Sequence, residues 1–435
     1  MTPEENDLLT RIGPGTAMGA LLRRYWMPLM ESEKLGPPDG APRRVRLLGE
    51  NLVAFRDSGG RAGLLAEGCP HRGASLYFGR NEEGGLRCVY HGWKFGTDGR
   101  CADMPTEPPE SRLREGIRAS AYACREQNGI VWAYLGPCAQ PPALPQLPWA
   151  LVPGAQRGAL KYQRACNWLQ ALEGDVDTAH LGWLHARFTG DGGRAVSFHD
   201  GDRLRDVATR DTRPVLHVAD TPAGVVIGAR RDHEPDRHYW RITQFLMPIF
   251  TSVPAIGDQG RAKAWVPIDD ERTLVWEPNW NASGPLSDDD RRGWKGRVPA
   301  SGMLEDDASG AGRGRFAAHL GNDYLIDRDR QRGSNFSGLE ESPPLQDAAV
   351  QESMGAIADR SREHLGSSDA GIIRVRQRLL EAALRLREAG EQPPGLAEPA
   401  AYRRRGCQLV LPHGANWLDA SGHGPPAAVG DPAGA

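Results

Sequence analysis

Two short segments limit what this chain can fold into more than anything else in it. One reads Cys69-Pro70-His71-Arg72-Gly73, the other Cys88-Val89-Tyr90-His91-Gly92-Trp93. Each sets a cysteine and a histidine on what reads as a tight turn, and sixteen residues lie between His71 and Cys88. That interval suits a strand excursion that returns the second turn to the first. Two thiolates with two imidazoles suit either zinc or a [2Fe–2S] cluster held by two cysteines on one iron and two histidines on the other. A zinc finger groups its cysteines in one pair and its histidines in another. Here each half supplies one of each, which suits a cluster with two chemically distinct irons. Gly73 and Gly92 would let backbone amides approach the sulfurs.

The rest of the chain is that of a globular protein. Its 435 residues suffice for two domains, and 39% hydrophobic with 25% charged residues is ordinary. A net charge of −3 gives no electrostatic reason to expect nucleic acid or an anionic membrane as partner. No apolar run reaches membrane-spanning length. The acidic start, Met1 to Asp7, lacks the pattern of a signal peptide, so a cytoplasmic protein is expected. Seven cysteines in this length do not form a disulfide framework. Cys101, Cys124, Cys138, Cys166 and Cys407 read as small buried hydrophobes.

Residues 8–36 read as a helix and a turn. Short β-like runs follow at Val45–Leu48, Leu52–Phe55, Leu86–Tyr90 and Ile130–Leu135, and a proline-rich linker at Pro141 to Pro148. The second half mixes a helix over 166–186 with strands at Val215–Ala219, Val225–Gly228, Tyr239–Phe245, Ala264–Pro267 and Thr273–Glu277. Residues 283–316 read as a polar loop. A helix is expected from Leu345 to Leu365, stopping at Gly366. A second is expected after a cap at Ser367 or Ser368, with Ile372, Val375, Leu379, Leu380, Ala383 and Leu386 as its packing stripe. The tail from Ser421 reads as disordered.

A second group of metal-binding residue types falls in 167–185: Glu173, Asp175, Asp177, His180 and His185. Asp177 and His180 are three apart, which on a helix puts them on one face. Gly182 suggests that the helix ends or distorts and brings His185 round to the same ion. Two histidines and one carboxylate with open positions form the facial triad of non-haem iron oxygenases.

At these residues the chain resembles a known family. The Cys/His boxes resemble those of Rieske iron–sulfur domains, which implies Cys69 and Cys88 on one iron and His71 and His91 on the other. Asp177, His180 and His185 fit the Asp-x₂-His-x₄-His motif of Rieske non-haem iron ring-hydroxylating oxygenases without a gap. The segment from Gln346 to Gly355 resembles the phthalate 4,5-dioxygenase-like branch and implies Asp347 as third ligand of the mononuclear iron. Asp323, Asp327 and Asp359 are the competing acids. The resemblance covers roughly residues 5–410, including Tyr239–Gln244, Trp265–Asp270 and Asp359–Gly366.

The resemblance implies an α+β chain. An N-terminal helical segment (1–42) leads into an all-β Rieske [2Fe–2S] domain (43–140). A catalytic mononuclear-iron domain (141–412) follows, with a helix-grip-like antiparallel sheet flanked by helices, and then a flexible tail (413–435). It implies a terminal oxygenase that oxidises an aromatic substrate with dioxygen. No Gly-x-Gly-x-x-Gly sits between a strand and a helix, so NAD(P)H oxidation falls to a separate flavin and iron–sulfur reductase. A homotrimer or hexamer is implied, in which Asp177 links His180 of its own chain to His91 of the partner subunit. A monooxygenase or O-demethylase would use the same metal residues. A Rieske electron-transfer protein would explain the first group but not the second. Arg230, Arg231 and Arg241 stand near the expected pocket. Strand alternation lets only one of the first two point inward, and Arg241 is the expected contact to an anionic substrate such as phthalate or a substituted benzoate.

Overall fold

Strand Glu50–Arg56 shows how the first half of the chain is organised. Its alternate side chains serve two cores: Leu52 and Ala54 enter the main core, while Val53 and Phe55 enter a smaller one beneath the Cys/His loops. Such a strand is apolar on both faces, which explains the unbroken apolar run in its sequence. In the computed structural model, which describes all residues except 138–139, 191, 197–202, 256, 296, 305–313 and 423–435, it belongs to a six-stranded antiparallel sheet. The strand order is Met27–Glu31, Ile130–Tyr134, Ala121–Gln127, Ala62–Ala66, Glu50–Arg56, Arg43–Leu47. A four-stranded meander, Arg80–Glu82, Gly85–Arg87, Lys94–Phe95 and Cys101–Asp103, stands beside it. The second Cys/His box is the connection between its second and third strands.

The second half is built on an eight-stranded antiparallel sheet. Its path runs Arg157–Arg164, Thr273–Asn281, Gln259–Pro267, Phe250–Val253, Arg237–Leu246, Gly224–Glu234, Val215–Thr221. Strand Arg237–Leu246 is long enough to pair with two strands along one edge. Gln244 to Leu246 meet Phe250–Val253, and Arg237 to Ile242 meet Cys407–Pro412. Helices Trp168–Val176 and Pro343–Glu352 pack against each other, and a Cβ at Gly174 would meet the end of the Gln351 side chain. Helix Ala370–Ala389 buries Ile372, Val375, Leu379, Ala383 and Leu386 as expected and ends at Gly390, whose φ of 64° suits glycine. The two halves share one core. They are also tied by Leu48 N–H to Pro267 O at 3.0 Å, Gly49 N–H to Ile268 O at 2.9 Å and an Arg46–Asp269 ion pair at 3.1 Å.

Several expectations are corrected. The helix expected over 166–186 ends at Val176, so Asp177 and His180 do not share a helical face. The helix expected to Leu365 is Pro343–Glu352, with only a short turn at Arg360–Arg362 beyond it. Asp369, not Ser367 or Ser368, precedes the last long helix, and its carboxylate accepts the Gly366 N–H at 2.7 Å. Residues 1–42 are not all helical, because Met27–Glu31 pairs into the six-stranded sheet. The strand expected over Leu86–Tyr90 stops at Arg87, and helix Asp288–Lys295 interrupts the loop expected over 283–316. The proline-rich stretch is welded down: Trp26 donates to Pro142 O at 2.8 Å, and Trp149 stacks on Trp132. Of the tail, helix Trp417–Ala420 is ordered, with Trp417 stacked on Trp240 at 5.5 Å; residues 423–435 and Cys138 lie outside the described residues. Cys101 and Cys166 are buried as expected, Cys124 and Cys407 half-buried. Among the described residues no helix is long and apolar enough to cross a membrane.

Candidate functional site

The two Cys/His boxes share one hydrogen-bond frame. Cys69 N–H donates to Ala74 O and Cys88 N–H to Trp93 O, both at 2.8 Å. Gly73 and Gly92 return N–H bonds to the Cys69 and Cys88 carbonyls, each at a φ of 77° that favours glycine. The frames bring the tips together, with the His71 and His91 rings 4.4 Å apart and Trp93 stacked on His71 at 4.3 Å. Cys69 and Cys88 are buried in the small core. Burial, with Cys88 alongside, pushes the Cys69 thiol up to about 11, so it stays neutral unless a metal takes the thiolate. Nδ1 of both histidines is buried without a hydrogen-bond partner. Two orphaned imidazole nitrogens beside two buried sulfurs fit a [2Fe–2S] group.

The second centre forms where helix Trp168–Val176 stops. Asn167 starts that helix by accepting the Leu169 N–H at 3.1 Å, and Asp177 is its last, extended residue. Asp177 Oδ1 then accepts the Ala179 N–H at 2.7 Å, turning the chain into the short turn His180–Gly182. Gly182 lies tight against the Ala208 carbonyl. This places Asp177 Oδ2 3.4 Å from His180 Nδ1 and brings the His180 and His185 rings to 5.1 Å. Asp347 comes from helix Pro343–Glu352, with Oδ1 3.2 Å from His185 Nε2 and 3.8 Å from His180 Nε2. One ligand atom from each of the three lies within 4.8 Å of the others, a set that suits an iron ion with open positions. Burial opposes ionisation of Asp347, yet His185, His180 and Lys263 hold it well below the usual carboxylate range. Burial likewise opposes ionisation of Asp177, and His180 with two backbone N–H groups outweighs it. The competing acids are engaged elsewhere: Asp327 caps Arg328–Gly333, Asp359 accepts from Ser361, and Asp323 lies in a left-handed turn.

Comparison with known proteins agrees with both centres. Residues 25–123 match the Rieske [2Fe-2S] domain family, and residues 133–424 match the LigXa C-terminal domain like family. The chain belongs to the Rieske oxygenases. It is 39% identical over 425 residues to the 3-chlorobenzoate-3,4-dioxygenase oxygenase subunit of Comamonas testosteroni, spanning 95% of this chain and 96% of that one. It is 36% identical over 429 residues to the phthalate 4,5-dioxygenase oxygenase subunit of Pseudomonas putida, spanning 96% and 94%. The crystal structure of dicamba monooxygenase bound to 3,6 dichlorosalicylic acid shares the fold at a TM-score of 0.56 and 17% identity, covering 85% of this chain and 99% of that one. This Rieske oxygenase is a terminal oxygenase that carries a [2Fe–2S] cluster and mononuclear iron. The match decides against zinc at the first centre.

In this Rieske oxygenase the second centre opens on a narrow cleft of about 50 Å³. Asp177, His180, His185 and Asp347 line it with Tyr239, Arg241, Arg261, Lys263 and Arg297. Arg241 is buried in the wall. Of the adjacent pair, only Arg231 is buried, but it serves the backbone, donating to Thr178 O at 2.9 Å and Asp211 O at 3.0 Å. Burial brings its pKa down to about 10. Two sets of contacts had no reading in the sequence. Lys263 pairs with Asp175 at 2.6 Å while Thr251 donates to the other oxygen of Asp175. Gln346 Oε1 lies 2.6 Å from His185 Nδ1, 161 positions apart in the chain, so no spacing could reveal the pair.

Proposed function

We propose that this Rieske oxygenase oxidises an aromatic carboxylate with dioxygen, with electrons from a separate NAD(P)H-dependent flavin and iron–sulfur reductase. The carrying observation is Arg241, buried in the cleft wall that also holds His180, His185 and Asp347. A guanidinium grips a carboxylate through two parallel hydrogen bonds and keeps its charge in a buried wall. The names of both relatives point to aromatic acids, chlorobenzoate and phthalate. Cys69, Cys88, His71 and His91 hold the cluster; His180, His185 and Asp347 hold the mononuclear iron. When bound, the cluster supplies single electrons and the iron supplies dioxygen chemistry. The protein's residues anchor the acid at Arg241, present the ring to the ligand set and limit water in the cleft.

Asp177 is partly buried beside this arrangement, with Oδ1 on the Ala179 N–H and Oδ2 facing His180 Nδ1. It is proposed to accept a hydrogen bond from His91 of the partner subunit in a trimer. The second Cys/His box carries exposed apolar side chains, Val89 59% and Tyr90 55% accessible, which supports burial of that tip against a neighbouring copy.

Arg241→Leu tests the substrate class. The KM for an aromatic acid should rise roughly 10- to 100-fold, the worth of a charged hydrogen bond, while a neutral ester of the same acid is little affected. Equal losses for acid and ester would make Arg241 structural and remove the anionic-substrate reading. Product analysis with benzoates, phthalate and methoxybenzoates separates ring hydroxylation from O-demethylation.

A further inference from the structure

Behind His185 runs a chain of buried amides and a hydroxyl. It begins at the Leu339 carbonyl, which can only accept, so the Asn335 atom 2.9 Å from it is the donor Nδ2. Asn335 Oδ1 is therefore an acceptor, and it takes the Gly338 N–H at 2.7 Å, which independently sets the same orientation. Ser337 Oγ donates to this oxygen at 3.5 Å. Ser337 Oγ accepts from the Leu339 N–H at 3.4 Å and from Gln346 Nε2 at 3.3 Å. That turns Gln346 Oε1 toward His185 Nδ1, 2.6 Å away. An amide oxygen only accepts, so His185 Nδ1 is the donor in this contact, and Nε2, 3.2 Å from Asp347 Oδ1, is the ring atom left to face a metal ion.

The same loop also holds His185 through the backbone. Phe336 N–H donates to Ala186 O at 2.9 Å, and Phe188 N–H to Ser334 O at 2.8 Å, on the strand Ala186–Phe188 that follows the histidine. Asn335 and Gln346 are fully buried, and Ser337 between them is half-buried. Asp347 and Gln346 are neighbours on one helix, so a single element presents one carboxylate at the centre and sets the ring that stands opposite it.

We propose that Asn335, Ser337 and Gln346 form a directed relay that fixes the tautomer and ring orientation of His185, making Gln346 a positioning residue for iron binding. The proposal rests on the reading of His185 as a ligand. Partners of this kind are worth 10- to 100-fold in metal affinity. Gln346→Met keeps length and bulk but removes the acceptor, whereas Gln346→Glu keeps an acceptor oxygen. The test is Fe(II) affinity of the full-length protein by chelator competition, read with the Co(II)-substituted absorption spectrum; the cluster spectrum serves as the folding control. Gln346→Met should lose roughly 10- to 100-fold in Fe(II) affinity and change the cobalt spectrum. Gln346→Glu should hold affinity at or above the parent's, and Ser337→Ala should lose less than Gln346→Met. Parent-like affinity in Gln346→Met overturns the relay, as does equal loss in Gln346→Glu, which would show packing rather than acceptance at work. His185→Ala separates the two readings. If it keeps iron, the ligand assignment fails; if it loses iron while Gln346→Met does not, only the relay fails.

Discussion

At the scale of single residues, Asp177 shows how one carboxylate is given several tasks. It ends a helix, accepts two backbone N–H groups and faces His180 Nδ1 at 3.4 Å. A ligand histidine held this way keeps its ring in one orientation and its other nitrogen basic. Asp177→Asn is nearly the same size, so both metals should stay bound. The fault should appear between the centres: reduction of the cluster by its donor stays fast, while its single-turnover oxidation by oxygen and substrate slows by roughly 10- to 100-fold or more. Stopped-flow absorbance of the cluster reads both phases. A normal oxidation phase would remove Asp177 from the path between centres.

At the scale of elements, the helix that ends at Asp177 is itself fastened by buried charges. Glu173 meets Arg376 at 2.7 Å and Arg360 at 3.1 Å; Arg376 reaches Glu363, and Arg360 reaches Asn6 of the first helix. Four segments distant in sequence thus converge on one carboxylate. Burial pushes the Glu173 carboxyl up, but the two guanidiniums outweigh it and hold the group below its usual range. A depressed folded-state pKa stabilises the fold above the unfolded value of about 4.3, and that contribution is lost as pH falls through the folded value. Glu173→Gln should therefore cost about 3 kcal/mol at pH 7, since it leaves buried guanidiniums short of charge. Urea titrations at pH 7 and at lower pH should show the deficit shrinking on acidification. A deficit that does not change with pH would mean packing, not charge, holds the junction.

At the scale of the whole molecule, the two metal centres lie in separate halves welded by a common core and backbone bonds, so the halves do not swing freely. The proposed bridge through Asp177 calls for a second copy of the chain. Light scattering should give a trimer or hexamer of 47.4 kDa chains, and metal analysis should give about three irons per chain. A monomer that turns over would overturn the bridge. About two irons per chain would mark an electron carrier instead.

Local chemistry carries far along this sequence. Cys69 with His71, and Cys88 with His91, sit in short turns whose glycines take positive φ, so in each box the candidate ligands and the loop shape are written within six residues. Asp177, His180 and His185 are close in the chain for the same reason, and the stripe from Ile372 to Leu386 follows helical period. Helix ends were less legible, because Val176 and Glu352 stop their helices without glycine or proline and the surrounding packing decides. The tail was misjudged at Trp417, whose burial depends on Trp240 far back in the chain. What only the tertiary structure decided were contacts made across long stretches of chain: the meeting of Asp347, already chosen by resemblance, with His185, Arg231 turned to backbone carbonyls, Lys263 paired with Asp175, and Gln346 set behind His185. Periodicity and spacing speak only for residues a turn or a strand apart. Hydrogen bonds and charge pairs between distant segments exist only once the core has brought those segments together.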